Sequence, residues 1–105
     1  MKFGLPEDTI EKIKGVLARF PEVNRAVLYG SRAKGNYKPG SDIDLTLFGD
    51  ITLELCASIA DALDDLLLPY TIDLSVFTLL KHPELEAHIW RVGLVFYEKN
   101  ANETV

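Results

Sequence analysis

The sequence predicts an α/β domain of the α+β type, in which a mixed β-sheet of about four strands is packed by three to four helices. The first observation is that segments with helical periodicity alternate with short strand-like segments, in the order α-β-β-α-β-α-β. The second is length, because 105 residues suffice for one hydrophobic core. Residues 1–105 are therefore expected to form a single domain.

Four segments make up the first half of the chain. Residues 6–20 carry apolar side chains at helical spacing, which predicts an amphipathic helix. Residues 23–29 include a short apolar run that is typical of a buried strand. Residues 30–40 contain three glycines and a proline, which predicts a long loop with room for one helical turn. Residues 41–48 alternate apolar and polar side chains and so predict a strand with one buried face.

The second half repeats this pattern with two helices and two strands before a polar tail. The first of these helices ends before Pro69, because proline cannot continue it. The predicted helices are residues 52–67 and 83–91, the predicted strands are residues 70–77 and 94–97, and the tail that we expect to fray is residues 99–105.

Charge and composition restrict the function. The net charge of −5 gives no general attraction to a nucleic-acid backbone, so direct nucleic-acid binding is not expected. The sequence has no run of about 18 apolar residues and no secretory signal, so we expect no membrane association. With Cys56 as the only cysteine, no internal disulfide can form, which fits a cytoplasmic protein. A core this small also favours a stable hetero-oligomer.

The loop after the first predicted strand begins with Gly30 and Ser31. Glycine lets the backbone approach a phosphate closely, and consecutive N–H groups with a serine hydroxyl can bind an anion. Arg32 follows directly, and we expect its guanidinium group to bind a phosphate group such as those of a triphosphate. A plain turn at Gly30 and a solvated basic loop are the alternatives.

Three aspartates are the candidate catalytic and metal-binding residues. Asp42 and Asp44 lie two apart on a predicted strand, so their side chains project together, roughly 6–7 Å apart. Such a pair repels unless a cation lies between its members, and hard oxygen ligands suit Mg²⁺. Asp73 lies alone in an apolar strand and would complete a two-metal site or act as general base. Exposed positions on the strands are the alternative for all three.

Histidines are not expected to take part in this chemistry. His82 and His88 are six residues apart, which is not a helical spacing for metal ligands. We interpret both as ordinary surface or helix-end residues.

Three sequence blocks together resemble the signature of the DNA polymerase β-like nucleotidyltransferase superfamily, and most closely its minimal nucleotidyltransferases. The resemblance covers residues 26–77 and implies the nucleotidyltransferase fold. It also implies that Gly30 and Ser31 contact the triphosphate of ATP, that Asp42 and Asp44 bind Mg²⁺, and that Asp73 completes the metal site. The blocks are Gly30-Ser31-Arg32-Ala33-Lys34-Gly35, Ser41-Asp42-Ile43-Asp44-Leu45 and Ile72-Asp73-Leu74.

The resemblance further implies a helical partner of the HEPN family. In several such pairs the transferase is an antitoxin that adds AMP to a tyrosine of the toxin. Transfer to a small molecule, a nucleic-acid polymerase and a binding module without turnover are the alternatives. The first two rank lower, because small-molecule relatives carry an added helical domain and because the charge is negative.

Overall fold

A four-stranded mixed sheet organises the chain in this computed structural model, which describes residues 1–99. The predicted tail from Asn100 onward lies outside the described residues. The strands are β1 (Val23–Tyr29), β2 (Ile43–Gly49), β3 (Ile72–Val76) and β4 (Leu94–Glu98). The helices are α1 (Glu7–Ala18), the one-turn α2 (Ser31–Lys34), α3 (Leu53–Asp64) and α4 (Pro83–Val92), with a 3₁₀ turn at Phe77–Leu79.

The strand order across the sheet is β3-β2-β1-β4. Strand β1 pairs antiparallel with both β2 and β4, whereas β2 and β3 are parallel. The parallel pair needs a crossover, which α3 provides, since parallel strands cannot be joined by a tight turn. The predicted mixed sheet of about four strands with three to four helices is therefore confirmed.

One face of the sheet packs against α1 and α3. Strand β2 directs Ile43, Leu45 and Leu47 to this side, and all three are fully buried. The apolar stripes of both helices meet them, so this face holds the main core. Its fully buried side chains also include Leu5, Ile13, Leu17, Leu28 and Ile59.

The opposite face is covered in part by α4. A second, smaller apolar cluster forms where Ile89 of α4 meets Val27 and Tyr29 of β1. Because α4 crosses the sheet at this position, the polar face that the alternation of β2 predicts is partly covered. Thr46 of β2, for example, is fully buried.

Local signals explain where the helices begin. Thr52 accepts a hydrogen bond from the Leu55 N–H at 3.1 Å and so caps α3. His82 caps α4 in the same way, with its Nδ1 accepting from the Leu85 N–H at 3.0 Å. The helix-end interpretation of His82 is thereby confirmed. Among residues 1–99, no helix is long and apolar enough to cross a membrane.

Candidate functional site

Side chains on the α4 face of the sheet lie in three rows that run across β1, β2 and β3. The first row, here the carboxylate row, contains Tyr29, Asp44 and Asp73, which are register partners. Partners on neighbouring strands direct their side chains to the same face. The structure therefore brings two of the three predicted aspartates side by side, on adjacent parallel strands.

Asp42 joins this pair from outside the sheet. Strand β2 begins at Ile43, so Asp42 precedes the strand instead of lying on it as predicted. The Ile43 N–H donates to the Thr71 carbonyl at 2.9 Å, which ties the Asp42 segment to the start of β3. Asp42 and Asp73 are exposed, whereas Asp44 is half-buried.

The surroundings of Asp44 disfavour the charged form of its carboxyl group. Burial raises the pKa of its carboxyl group, and the negative charges of Asp73 and Asp42 raise it further. His88 of α4 acts in the opposite direction and lowers the pKa of Asp44. A cation placed among these carboxylates would relieve the repulsion that disfavours the charged form of Asp44.

Gly30 lies directly against Asp44. Its φ of +77° is in the region that favours glycine, and a Cβ atom added there would collide with the Asp44 carboxylate. Gly30 is thus required both by conformation and by close approach. The glycine that begins the loop is therefore in close contact with the Asp44 carboxylate.

Ser31 opens α2 beside this contact. The Gly30 carbonyl accepts from the Ala33 and Lys34 N–H groups at 3.2 and 3.1 Å, which folds the loop into its single helical turn. Ser31 is half-buried at the start of that turn. The loop therefore places Ser31 directly after the glycine that lies against Asp44.

Arg32 does not face the site. Its side chain is 2% exposed, and its guanidinium group donates to four backbone carbonyls, including that of Ser41. All five of its N–H groups are used in this way. This differs from the predicted phosphate contact, because a guanidinium without a free donor cannot also clamp a triphosphate. The arrangement gives Arg32 a structural position instead.

The second row, the hydroxyl row, lies behind the carboxylates. Val27, Thr46 and Ser75 are register partners there. Thr46 Oγ1 and Ser75 Oγ are both buried and have no hydrogen-bond partner of standard geometry. A hydroxyl that is buried without a hydrogen-bond partner is unfavourable. Packing on the α4 face therefore contributes less to the stability of the fold than packing on the opposite, apolar face.

The third row, the aromatic row, ends the face farthest from the carboxylates. Phe48 stacks on Phe77 with ring centroids 4.8 Å apart, and Trp90 of α4 meets Phe77 edge-on at 5.4 Å. The guanidinium of Arg25 lies 4.8 Å from the Phe48 ring. A small cavity of about 120 Å³ lies beside this row, lined by Arg25, Val27, Phe48, Ile89, Trp90, Gly93 and Val95.

The amino-acid sequence matches the model of a known protein family. The model of the family described as polymerase beta, nucleotidyltransferase, matches residues 11–102. The chain belongs to the polymerase beta nucleotidyltransferase family. This match spans all three sequence blocks that carry the predicted resemblance, and it includes every residue of the carboxylate row.

Solved structures share the fold of this nucleotidyltransferase domain. One is a toxin–antitoxin complex with AMP-PNP, at TM-score 0.69 and 20% identity, over 89% of this chain and 76% of that chain. Another is a tri-AMPylated Shewanella oneidensis HEPN toxin with its MNT antitoxin, at 0.65 and 17%, over 92% and 76%. A MntA–HepT toxin–antitoxin complex follows at 0.58 and 21%, over 93% and 77%. A comparison with curated proteins gives no match.

The nucleotidyltransferase domain has two adjacent carboxylates, Asp44 and Asp73, but no complete metal cage among its described residues. Among residues 1–99, no three His, Cys, Asp or Glu side chains are gathered as a metal ion requires. Mg²⁺, however, usually takes only one or two protein carboxylates and fills its shell with water and substrate phosphates. The adjacent Asp44 and Asp73 fit a hard cation that arrives with a nucleotide. The predicted two-metal site is not preassembled.

Two residues of this neighbourhood escape sequence reasoning. His88 is half-buried and lies edge-on to the Tyr29 ring, with centroids 6.3 Å apart. Its interpretation as an ordinary surface residue is therefore wrong. Burial raises the pKa of Tyr29, Asp73 and Asp44 raise it further, and the neighbouring Ser75 hydroxyl acts in the opposite direction. No spacing in the sequence connects α4 with β1, so neither residue carries a signal.

Proposed function

We propose that this domain is a Mg²⁺-dependent nucleotidyltransferase that transfers AMP from ATP to a hydroxyl group of a protein. The observation that carries the proposal is the contact between Gly30 and the Asp44 carboxylate. It puts a glycine loop suited to phosphate beside a carboxylate whose charged form is disfavoured without a cation. Family membership supports the reaction class.

The residues of the site divide the work. Gly30 and Ser31 bind the triphosphate, Asp42 and Asp44 hold Mg²⁺, and Asp73 completes the site. When bound, Mg²⁺ neutralises phosphate charge and lowers the pKa of the attacking group. Half-burial of Asp44 strengthens its interaction with the cation, because the local dielectric is lower than in water.

The transfer step conserves every atom. The acceptor oxygen forms a bond to the α-phosphorus of ATP, the bond from that phosphorus to the bridging oxygen breaks, and pyrophosphate leaves. The acceptor proton passes to a carboxylate, for which we propose Asp73. Asp73 is exposed and so can be reached by an acceptor from another molecule, whereas Asp44 is half-buried.

A helical protein of the HEPN family is the proposed acceptor, which makes this domain the antitoxin of a cytoplasmic toxin–antitoxin pair. Two similar structures are complexes of this kind, one with AMP-PNP and one with an AMPylated toxin. The net charge of −5 argues against a nucleic-acid acceptor. The carboxylates of Asp42 and Asp73 are exposed to solvent, which also suits a large acceptor.

The test is the intact mass of a HEPN-family protein that forms a complex with this chain, after incubation with this chain, ATP and Mg²⁺. We expect a gain of whole AMP units that the Asp42→Ala, Asp44→Ala double variant does not produce. An Asp61→Ala, Asp64→Ala variant is the matched control, because it removes two exposed carboxylates from α3 on the other side of the sheet. No gain with any of the four nucleoside triphosphates, despite complex formation, contradicts the proposal.

A binding module without turnover is the second candidate. In that case the Asp42→Ala, Asp44→Ala variant still neutralises the partner, whereas an AMP transferase loses neutralisation together with transfer. Transfer to a small molecule predicts ATP consumption without any change in the mass of the partner.

A further inference from the structure

The side chain of Arg32 joins three segments of the chain at one buried point. Its Nε and Nη2 atoms both donate to the Ser41 carbonyl, at 3.1 and 2.9 Å, and Nη2 lies 3.5 Å from the Pro39 carbonyl. Its Nη1 donates to the carbonyls of Phe3 and Gly4, at 2.9 and 3.3 Å. The α2 turn, the loop before β2 and the N-terminal segment are therefore held by one group.

The charge of Arg32 is compensated without a carboxylate. The rings of Tyr37 and Tyr70 each lie 5.2 Å from the guanidinium carbon, and none of the ion pairs among residues 1–99 includes Arg32. A buried cation is costly, and apolar replacement of buried charges is often neutral or stabilising. Stability alone is therefore a weak reason for an arginine here, which directs attention to what its hydrogen bonds hold.

Those hydrogen bonds hold the peptide that precedes Asp42. Ser41 is fixed on one side by Arg32 and closed into a turn by the Lys38 N–H, which donates to Ser41 Oγ at 2.8 Å. On the other side of Asp42, the Ile43 N–H donates to the Thr71 carbonyl. The backbone of Asp42 is therefore held on both sides by hydrogen bonds of its neighbours.

Arg32 also comes directly after the Gly30–Ser31 loop. It lies on the one-turn helix α2, whose N–H groups donate to the Gly30 carbonyl. A single side chain therefore spans from the Gly30–Ser31 loop to the Asp42 segment. Their separation must be correct if a phosphate on one is to share a cation with the other.

We infer that Arg32 is a positioning residue that sets the distance between the Gly30–Ser31 loop and the Asp42 carboxylate by holding the Ser41 peptide, without touching the nucleotide. The inference rests on the proposed function, since it assigns Arg32 a task in cation binding. An Arg32→Lys variant keeps the charge but loses the planar fork, so one ammonium cannot reach the Ser41 and Phe3 carbonyls together. The Asp42 segment should then loosen while the sheet stays intact.

Hydrogen exchange of the free chain tests the anchoring without any nucleotide. In Arg32→Lys we expect the hydrogen-bonded amides of Lys38, Ser41 and Ile43 to exchange about tenfold faster, while β1 and the rest of β2 keep their protection. Ile59→Val is the control, because it weakens the core on the far side of the sheet. Equal acceleration across all segments, as in the control, overturns the inference, and so does unchanged exchange at Lys38, Ser41 and Ile43.

Binding of AMP-PNP with and without Mn²⁺ tests the functional part. We expect Arg32→Lys to lower the affinity gain from Mn²⁺ about tenfold or more, as for other residues that orient metal ligands, and to leave metal-free affinity within about twofold. Arg32→Met, which keeps the volume, is the second variant if the lysine variant does not fold. An equal loss with and without Mn²⁺ overturns the inference, because it places Arg32 on the phosphates or in the general stability of the loop.

The two failures are distinguishable. If the wild-type chain binds no AMP-PNP, the proposed function is contradicted, and with it the task of Arg32 in cation binding. The exchange pattern then still decides whether Arg32 anchors the Asp42 segment. If the wild type binds with a clear gain from Mn²⁺ and Arg32→Lys keeps that gain, only the role of Arg32 is wrong.

Discussion

The two faces of the sheet use the same strands for different purposes. On the α1 and α3 side, β2 contributes Ile43, Leu45 and Leu47, which are fully buried among apolar neighbours. On the α4 side, the intervening positions form rows of carboxylates, unpaired hydroxyls and aromatic rings. The face towards α1 and α3 stabilises the fold through apolar contacts. The face towards α4 instead carries unfavourable polar groups at the candidate site.

This difference follows from the period of a strand. Because successive side chains point to opposite faces, a substitution at one position of β2 affects one face alone. Asp44 and Leu45 are neighbours in sequence, yet they belong to a strained polar row and to the core, respectively. Substitutions on the α4 face should therefore lower activity more than stability. Substitutions on the α1 and α3 face should lower stability more than activity.

Asp44→Asn should give the largest effect and the clearest separation of the two properties. Loss of a carboxylate that holds the cation should lower the rate of AMP transfer about 10³-fold, since such contacts are worth several kcal/mol in the transition state. Stability should rise at neutral pH, because burial and the neighbouring carboxylates disfavour the charged form of Asp44. Transfer assays and urea unfolding of the same preparation check both; lower stability would contradict the second part.

The pH dependence of this stability difference follows from the direction of the pKa shift. The folded-state pKa of Asp44 is raised, so the folded state binds the proton more tightly than the unfolded state. The wild-type side chain therefore contributes stability that is present below its ordinary pKa and lost as the pH rises through the folded pKa. The advantage of Asp44→Asn should be absent in acid and grow towards neutral pH; unfolding at several pH values measures it.

Leu17→Ala tests the opposite face. Leu17 of α1 is fully buried in the main core, so truncation should leave a cavity and lower the free energy of unfolding by about 2–5 kcal/mol. Nucleotide affinity at a temperature well below the unfolding midpoint should stay unchanged, because no residue of the carboxylate row faces this side. A specific loss of affinity in a fully folded Leu17→Ala chain would mean that the two faces are coupled.

The difference between the faces also separates what the sequence could predict from what it could not. Alternation along β2 predicts which side chains share a face, and Asp44 indeed lies with Thr46 and Phe48. The parallel register that puts Asp44 beside Asp73 joins segments almost thirty residues apart, and no local pattern encodes it. Motif blocks identify the aspartates, but their pairing depends on the fold.

Arg32 and His88 show the limit more sharply. In sequence, an arginine after Gly-Ser indicates a phosphate ligand, but its guanidinium group donates to the Phe3 and Gly4 carbonyls, 29 and 28 residues earlier in the chain. His88 reaches the site only because α4 packs across β1. Both outcomes are decided by tertiary contacts, whereas the helices and strands themselves follow from periodicity and from the residues that begin and end them.

Thr46→Val should reverse the usual sign of a core substitution. The Thr46 hydroxyl is buried without a partner, so an apolar group of the same shape should raise the free energy of unfolding by about 1 kcal/mol. Thr9→Val is a matched control, because Thr9 is also a buried threonine but lies on α1, on the other side of the sheet. A loss of stability in Thr46→Val would mean that a bound water satisfies the hydroxyl row.

Trp90→Ala should have the smallest effect, which makes it the finest test of how far the site extends along the α4 face. Trp90 is 67% exposed and contacts the rings of Phe48 and Phe77, so we expect a stability loss of about 1 kcal/mol or less. The carboxylate row lies two rows away along the strands, and AMP-PNP affinity should not change. Calorimetric titration with Mn²⁺ present measures this, and a tenfold weaker affinity would extend the nucleotide site from the carboxylates to the aromatic row.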